Sequence, residues 1–394
     1  MPEQRESAVR KRIGTELESL SKGSQLRVLN RPRGIDFCSN DYLGLASDPR
    51  LKLAVLEAVA RAEKIGATGS RLLSGNAKDW EDLEMEFARF AGSEAALYFG
   101  SGYAANLGLL SSILAPGDTV FSDELNHASL IDGIRLSRVQ KIIYPHCDME
   151  ALERGLRERR GTAGARVIVS ESVFSMEGDI APMDRLVRLA KDFDAELVID
   201  EAHATGVWGP AGRGIVAEHG YERDVLAIVH TCGKALASAG AFICSSLDLK
   251  RYLVNRARTF IYSTALPPYI AGQIHTALDL VRQANAERAQ LAQVARALRE
   301  SLVATGVGCG LSTTQIVPVI LGSNEAALHV AARLEESGFA VKAIRPPTVR
   351  PGNARIRLSL TNLIAPQDIH YLVRVVAKAA RSLDHFPSVT GAHA

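Results

Sequence analysis

Apolar residues along this chain recur at two spacings, which alternate from residue 50 onward. Intervals of three and four residues predict helices at 51–63, 80–92 and 183–193. Short apolar or β-branched runs predict strands at 95–99, 165–170, 196–200 and 225–230. Because helices and strands alternate, we expect a mainly parallel sheet that is covered by helices on both faces.

The pattern changes after residue 268. A further set of elements follows, with helices and strands predicted at 286–306, 316–321, 326–338 and 354–360. Their order is typical of a smaller α+β domain. We therefore divide the chain into an N-terminal arm, a large α/β domain and a C-terminal α+β domain, at residues 1–49, 50–283 and 284–394.

Composition narrows the classes of protein without selecting one. The chain has 394 residues, 47% of them hydrophobic, which is enough for the cores of two domains. Its 46 basic and 44 acidic side chains leave a net charge of +2, which argues against nucleic acid or a membrane surface as a partner.

Cysteine use and the terminal sequence point to a cytoplasmic protein. The five cysteines are scattered, form no C-x-x-C pair and are odd in number, as is typical of a reducing compartment. No run approaches the roughly 18 apolar residues of a membrane span. The charged stretch at 7–26 lacks the apolar core of a secretory signal.

A lysine and a carboxylate lie where two strands are predicted to end. Asp200 closes the strand at 196–200, with His203 just beyond it, and Lys234 lies in the loop after the strand at 225–230. Open α/β sheets bind ligands at the carboxyl ends of their strands. The pair suits pyridoxal 5′-phosphate (PLP), because a lysine can form a Schiff base with it and a carboxylate can pair with its protonated pyridine nitrogen.

The segment GSGYAAN at 100–106 can hold a phosphate, because its backbone N–H groups open a predicted helix. It also fits the G-x-G-x-x-A fingerprint of dinucleotide-binding proteins, so an NAD-dependent oxidoreductase is an alternative. That fingerprint needs a strand ending in an acid about twenty residues later. Asp118 and Asp123 fall in a turn-like segment at 116–124, so we expect a monophosphate rather than a dinucleotide.

Two other classes of protein are considered and set aside. DEAH at 200–203 is also a helicase signature, but a helicase needs the phosphate loop G-x-x-x-x-G-K-[ST], and Lys234 is followed by alanine. Cys147 beside His146, and Cys232 near Lys234, raise the possibility of a thiol acyltransferase. No spacing holds a base against either sulfur, so we expect these cysteines to be buried or incidental.

Three polar residues keep two interpretations each. His127, at a predicted loop-to-helix junction, is either an exposed polar or capping residue or a ring that stacks on a flat cofactor and donates to a bound carbonyl. Arg355 and Arg357 share one face of the strand at 354–360. They form either a solvated face or a bidentate grip for the carboxylate of an amino acid.

Eight segments, in order, resemble the α-oxoamine synthases, PLP enzymes of fold type I that condense an amino acid with an acyl-CoA and release carbon dioxide. The segments are FCSNDYLGLASDPR (37–50), GSRLLSG (69–75), GSGYAAN (100–106), DELNHAS (123–129), ESVFSMEGDIAP (171–182), DEAHATGVWGPAGRG (200–214), TCGKALASAGAF (231–242) and YSTALPP (262–268). The resemblance implies an α/β PLP-dependent transferase of fold type I, with a large, mainly parallel sheet domain and a smaller C-terminal α+β domain.

Within this family, two segments favour one substrate pair. SNDYLGL, which contains Asp41, and GKALASAGAF most resemble members that join L-alanine to pimeloyl-CoA, or to the corresponding carrier-protein thioester, in biotin synthesis. Members that use glycine are the alternative.

The resemblance also implies roles at the cofactor. Lys234 carries PLP as a Schiff base, Asp200 pairs with the pyridine nitrogen, His203 bonds the ring hydroxyl and His127 stacks on the ring. Lys234, Asp200 and His127 are thus the expected catalytic residues. The other cofactor contacts implied by the resemblance are Gly102, Tyr103, Ser175 and Thr231.

Substrate contacts are implied in the same way. Arg27 and Thr348 match substrate-contacting positions, and Arg357 matches the clamp for the amino-acid carboxylate. Asn40 and Glu171 lie in segments that line the site.

Thr264 resembles a residue that a neighbouring subunit sends to the phosphate, which implies a homodimer with shared active sites. One position departs from the family: relatives usually have a histidine after the segment at 69–75, where this chain has Trp80.

Overall fold

The computed structural model describes residues 7–383. The helices, in chain order, are α1 (Ala8–Lys22), α2 (Pro49–Arg61), α3 (Lys78–Ala91), α4 (Gly102–Ile113), α5 (Ala128–Ser137), α6 (Met149–Glu158), α7 (Met183–Asp192), α8 (Ile215–Glu218), α9 (Leu247–Arg256), α10 (Arg258–Ile261), α11 (Tyr269–Gln283), α12 (Asn285–Ala304), α13 (Asn324–Glu336) and α14 (Pro366–Arg381). Within the described range, no helix is both long enough and apolar enough to cross a membrane.

The strands, in chain order, are β1 (Ile35–Asp36), β2 (Ala95–Phe99), β3 (Thr119–Asp123), β4 (Gln140–Tyr144), β5 (Arg166–Glu171), β6 (Glu196–Asp200), β7 (Ala227–Thr231), β8 (Ala241–Ser245), β9 (Ile316–Gly322), β10 (Phe339–Ala340), β11 (Ala343–Ile344) and β12 (Ala354–Ser359). Every helix and strand predicted from spacing is present, with its ends within two residues of the expected ones.

The central sheet has seven strands in the order β2-β8-β7-β6-β5-β3-β4. Strands β3 to β7 are parallel, and β8 runs antiparallel to both β7 and β2. The carboxyl ends of β3, β5, β6 and β7 therefore open at one edge of the sheet. This confirms the predicted mainly parallel sheet.

Side chains of the inner strands alternate between two apolar layers. Phe121, Ile168 and Ile199 pack into one core, whereas Val169 and Val198 pack into the other. Because successive strand residues point to opposite faces, each strand serves both layers, and its apolar run is nearly continuous. This explains why short unbroken apolar runs identified the strands.

The turn predicted at 116–124 is wrong over most of its length, because residues 119–123 form β3 between β5 and β4. All five residues of this strand are buried. Its polar members are satisfied locally: the Asn126 side chain donates to Ser122 Oγ at 2.9 Å, and the Leu125 N–H donates to Asp123 Oδ1 at 2.9 Å. Polar residues can occupy a buried strand when hydrogen-bond partners lie nearby in the sequence. Such residues interrupt the apolar run by which a strand is recognised.

The C-terminal region contains a second, antiparallel sheet in the order β11-β12-β9. Helix α13 packs against β12, and α14 packs against α12 and α13. The arm joins this region, because β1 pairs in parallel with β10. The described part of the arm lies close to Thr348 and Arg357, because Arg27 contacts Thr348 and Asn40 contacts Arg357.

Candidate active site

The carboxyl edge of the central sheet encloses a cavity of about 200 Å³. Glu171 and Asp200 end β5 and β6 and are paired in register, and Thr231 ends β7. The structure brings most of the predicted cofactor residues to this cavity. Those that line it are Gly102, Tyr103, His127, Asp200, His203, Thr231 and Lys234. Glu171, which was expected in a segment that lines the site, also borders it.

Asp200 is almost fully buried and held by two hydrogen bonds. Its Oδ1 accepts from the Ala202 N–H at 2.8 Å, and its Oδ2 accepts from Asn106 Nδ2 at 2.6 Å. Asn106 lies on α4 one turn after Gly102, and sequence reasoning missed it. The spacing of four residues from Gly102 placed it on the same helix face, which was the available signal.

Lys234 forms a polar contact chain with His203 and Tyr42. The Lys234 Nζ lies 2.9 Å from His203 Nε2, and His203 Nδ1 lies 2.6 Å from the Tyr42 hydroxyl. Burial lowers the pKa of Lys234 to about 8, although Asp200 and Glu171 act in the opposite direction. Burial, with Lys234 and Arg357 nearby, holds the pKa of His203 well below its usual value, so this ring is neutral. Tyr42 is a second residue that sequence reasoning missed.

The amino end of α4 faces the end of β7. Ser101 caps the helix by accepting from the Ala104 N–H at 3.0 Å, which leaves the N–H groups of Gly102 and Tyr103 directed beyond the helix end. A Cβ on Gly102 would lie 3.6 Å from Thr231 Oγ1, in the space between the helix and the strand. This arrangement provides N–H and hydroxyl donors for an anion.

His127 caps the amino end of α5 and borders the cavity. Its Nδ1 accepts from the Ser129 N–H at 3.3 Å and lies 2.8 Å from Ser129 Oγ. Partial removal of the ring from water lowers the pKa of His127, and Asp200 opposes part of this effect. The capping and stacking interpretations are therefore compatible, because the capping atom is Nδ1 and the ring lines the cavity.

Glu171 is buried beside Asp200, and this proximity decides its charge. Burial, followed by repulsion from Asp200, raises the pKa of Glu171 well above its usual value. The charged form of Glu171 is therefore disfavoured at the cavity wall.

Arg357 is buried, which contradicts the solvated-face interpretation of this strand. Its Nε donates to the Ser175 carbonyl at 2.6 Å, and its two terminal nitrogens each lie 3.1 Å from Asn40 Oδ1. Arg355 is also buried and pairs with Glu177 at 2.9 Å. Arg357 has no carboxylate partner within the described residues, so its charge is compensated only by neutral acceptors.

Six predicted site residues do not line the cavity, namely Asn40 and Arg357, described above, and Ser175, Arg27, Thr348 and Thr264. Ser175 reaches the site only through its carbonyl bond to Arg357. Arg27 of the arm contacts Thr348, with 3.5 Å between the guanidinium and the hydroxyl oxygen, and both are exposed. Thr264 is exposed and borders a separate small cleft that contains Trp80. Trp80 is fully buried and stacks on Tyr98 with ring centroids 4.3 Å apart.

Asp123, which the sequence placed in a turn, has a carboxylate that is hydrogen-bonded to neighbouring protein groups. Besides Leu125, its carboxylate accepts from the Cys147 N–H at 2.9 Å and bonds His146 Nδ1 at 3.0 Å. Asp123 does end a strand, contrary to the argument from sequence against NAD, but its oxygens are directed at protein groups rather than at a cavity. The NAD alternative therefore fails for a different reason from the one expected.

His146 bridges two carboxylates, and Cys147 lies against it. Its Nε2 is 2.9 Å from Asp179 Oδ2 and 3.8 Å from Cys147 Sγ. A histidine is thus beside this sulfur, unlike the expectation from spacing, but both of its ring nitrogens bond carboxylates. Burial nevertheless raises the pKa of the Cys147 thiol, so the thiolate needed by a nucleophile is disfavoured.

We expect His146→Gln to lower the free energy of unfolding by about 3–5 kcal/mol, because two buried carboxylates lose their cation. Burial opposes the charge on His146, but its bonds to Asp123 and Asp179 raise its pKa to about 12, above the ordinary 6.5. The stabilisation is therefore complete below pH 6.5 and declines as the pH rises toward 12. Denaturant unfolding at pH 7 and pH 9 should show a smaller difference between variant and wild type at pH 9.

His219→Gln is the matched control, because His219 makes a similar 3.0 Å contact with Asp184 at the surface. Its loss should cost at most about 1 kcal/mol. Equal costs for the two variants would show that the His146 bridge is not a buried ion pair.

The residues at the cavity fit PLP. Two N–H groups and a hydroxyl at one end suit a phosphate, a buried carboxylate suits a pyridinium, and a lysine of lowered pKa suits an aldehyde. The cavity also presents His127 as a flat ring at its border. No other ligand class suggested by the sequence matches this donor set.

Comparison with known proteins decides the family. The model of the family aminotransferase class I and II matches residues 32–376. The chain belongs to this family. An 8-amino-7-oxononanoate synthase of Geobacter sulfurreducens is 47% identical over 363 residues, covering 92% of this chain and 91% of the relative. Its name confirms the resemblance to the α-oxoamine synthases.

Solved structures agree with this assignment. A serine palmitoyltransferase of S. paucimobilis with a bound PLP–myriocin aldimine has a TM-score of 0.86 and 28% identity, covering 96% of this chain and 99% of that one. An 8-amino-7-oxononanoate synthase of Francisella tularensis has a TM-score of 0.77 and 30% identity, covering 88% and 98%. The predicted PLP-dependent fold type I is confirmed, PLP is the cofactor of this enzyme, and the NAD alternative is wrong.

Proposed function

We propose that this enzyme condenses L-alanine with a pimeloyl thioester, giving 8-amino-7-oxononanoate, the free thiol and carbon dioxide. The observation that carries the proposal is that Lys234 and Asp200 line one cavity, and that Arg357, which has no carboxylate partner among the described residues, is connected to Lys234 by polar contacts through Asn40, Tyr42 and His203. The substrate pair is supported by relatives of that name at 41–47% identity over most of the chain.

PLP, when bound, supplies a ring that stabilises negative charge on the α-carbon of the amino acid. We assign its phosphate to Gly102, Tyr103 and Thr231, its pyridine nitrogen to Asp200 and its ring face to His127. His203 is assigned to the ring hydroxyl. The raised pKa of Glu171 supports this arrangement, because it favours Asp200 as the carboxylate that would pair with the ring nitrogen.

Lys234 is assigned the proton transfers. With a pKa of about 8, its Nζ is present both as amine and as ammonium near neutral pH. It can therefore accept the α-proton of alanine and return a proton after carbon dioxide has left. A base whose pKa lies near the working pH is the efficient choice for both directions.

Arg357 is assigned to the carboxylate of alanine. Its guanidinium is held by Asn40 and by the Ser175 carbonyl, which fix its direction without neutralising it. A buried, uncompensated guanidinium is stabilised by an incoming carboxylate, and two parallel hydrogen bonds would also orient the substrate. Ser175 thus contributes through its backbone, and Asn40 through its side chain.

Arg27 and Thr348 are assigned to the acyl thioester. The arm residue Arg27 also donates to the carbonyls of Arg345 and Pro346, at 3.3 and 3.2 Å, so its position depends on the loop that carries Thr348. Both groups are exposed and polar, which suits a substrate that enters from solvent.

We further propose a homodimer in the cytoplasm. Thr264 is exposed and lies outside the cavity of its own chain, which supports a role at a partner's phosphate. All five cysteines are unpaired thiols, which is consistent with a reducing compartment. Sedimentation would test the dimer directly.

Alanine with pimeloyl-CoA is expected to give the highest specificity constant among substrate pairs. A methyl group is worth about 1–3 kcal/mol in an apolar pocket, so glycine should react about 10–200-fold more slowly. The measurement is release of free thiol with alanine plus pimeloyl-CoA, glycine plus acetyl-CoA, and glycine plus succinyl-CoA. If either glycine pair is preferred, the family assignment stands and the substrate proposal fails.

A further inference from the structure

A continuous chain of side-chain hydrogen bonds connects Asp200 with His127. Asn106 Nδ2 lies 2.6 Å from Asp200 Oδ2 and 2.9 Å from Ser129 Oγ. Ser129 Oγ lies 2.8 Å from His127 Nδ1. Asn106 and Ser129 are at most 1% exposed, so solvent does not compete for the two bonds of Asn106. The Ser129–His127 bond is partly buried, because His127 is exposed on its other side.

The direction of each bond follows from chemistry. The Asn106 amide must present Nδ2 to Asp200, because the reverse orientation would place two oxygens 2.6 Å apart. The same Nδ2 donates to Ser129 Oγ, so the Ser129 hydroxyl proton is free to donate to His127 Nδ1. The Ser129 backbone N–H also donates to that atom, at 3.3 Å. Two donors therefore converge on Nδ1, which must carry a lone pair.

We propose that Asn106 and Ser129 are positioning residues that hold His127 as a single neutral tautomer, with its proton on Nε2. His127 then presents an N–H donor, and not a basic nitrogen, at the cavity border. The tautomer follows from the geometry of this chain alone, whereas its use in the reaction rests on the proposed function.

The proposal has a chemical consequence for the thioester step. A donor at Nε2 can bond the carbonyl oxygen of a bound substrate and stabilise charge that develops there. It cannot remove a proton from the substrate, which leaves Lys234 as the base. Asn106 bonds both Asp200 and Ser129. The same amide therefore orients Asp200, assigned to the ring nitrogen, and, through Ser129, His127, assigned to the ring face.

The test is nitrogen NMR of histidine rings in the full-length chain labelled with ¹⁵N-histidine, recorded at pH 8 with PLP bound and after its removal. The His127 signals are identified by their loss in His127→Gln. We expect Nδ1 to appear unprotonated and Nε2 protonated in both samples. A mixture of tautomers, or a proton on Nδ1, in the wild-type protein would overturn the proposal.

Ser129→Ala tests the cause of the tautomer preference. It removes the hydroxyl donor and keeps the backbone donor, so the ratio of the two tautomers should fall about 5-fold. Ser312→Ala is the matched control, because Ser312 is also buried, its hydroxyl bonds the Ile316 carbonyl, and neither residue lines the cavity. An unchanged ratio in Ser129→Ala would disprove the role of Ser129.

The NMR result and the proposed function can fail separately. If wild-type His127 shows the expected tautomer but no thioester pair releases thiol, the function is wrong and the inference stands. If alanine and pimeloyl-CoA react while the tautomer is mixed, the inference is wrong. If Ser129→Ala does not fold, the wild-type spectrum still decides the proposal.

Discussion

Lys234→Ala is expected to lower kcat by at least about 10³-fold, because the site loses the one group assigned to move the α-proton. The variant should still fold and bind PLP through the contacts assigned to its phosphate and ring. The measurements are thiol release at saturating alanine and pimeloyl-CoA, and PLP affinity by equilibrium dialysis.

Two further variants separate charge from proton transfer. Lys234→Arg keeps a cation, but a guanidinium cannot release its proton near neutral pH, so this variant should be equally inactive. Lys191→Ala is the control, because Lys191 makes only an exposed pair with Asp224, and its activity should match the wild type. Near-normal turnover in Lys234→Ala would refute the assignment.

The location of Lys234 and Asp200 could be predicted because it depends on strand order alone. β6 and β7 are adjacent and parallel, and Asp200 is paired with Val229 near the end of β7. Whatever follows two such strands must emerge at the same edge of the sheet. The apolar runs that identified these strands therefore also located the chemistry.

The burial of Arg357 could not be predicted in this way. The alternation in β12 placed Arg355 and Arg357 on one face, which is correct. Whether that face meets solvent depends on what covers it, and the cover comes from Asn40 in the arm, more than 300 residues away in sequence. Local pattern contains no information on such a long-range contact.

Asn106 and Tyr42 were missed for a related reason. Each belongs to a segment that the family resemblance included, but an amide and a phenol become part of a site only through the groups they touch. Asn106 contacts Asp200, and Tyr42 contacts His203. In each pair the two residues are far apart in sequence, and the spacing of residues along the chain does not show how their segments pack together. Strand β3 was missed because Ser122 and Asp123 at its carboxyl end are polar, and these residues are tolerated there because they have local partners.

Asp200→Asn is expected to weaken PLP binding and slow turnover far more than His203→Asn does. A carboxylate within about 4–6 Å raises the pKa of a pyridinium by about 1–3 units. Each unit is worth about 1.4 kcal/mol, so losing the charge should cost about tenfold to a thousandfold. Asparagine has one acceptor oxygen, so it can keep the bond from the Ala202 N–H or the bond from Asn106 but not both. The backbone bond to Ala202 should be enough to keep the fold around β6.

His203→Asn provides the comparison, because it removes a neutral group from the same cavity. Its ring is uncharged and contacts Lys234 and Tyr42, so its loss removes hydrogen bonds worth about 1 kcal/mol each and no charge. PLP dissociation constants and kcat should be measured for both variants at pH 8. Equal and mild effects would show that Asp200 is not the partner of the ring nitrogen. A much larger effect of Asp200→Asn is expected if the negative charge of Asp200 faces that nitrogen.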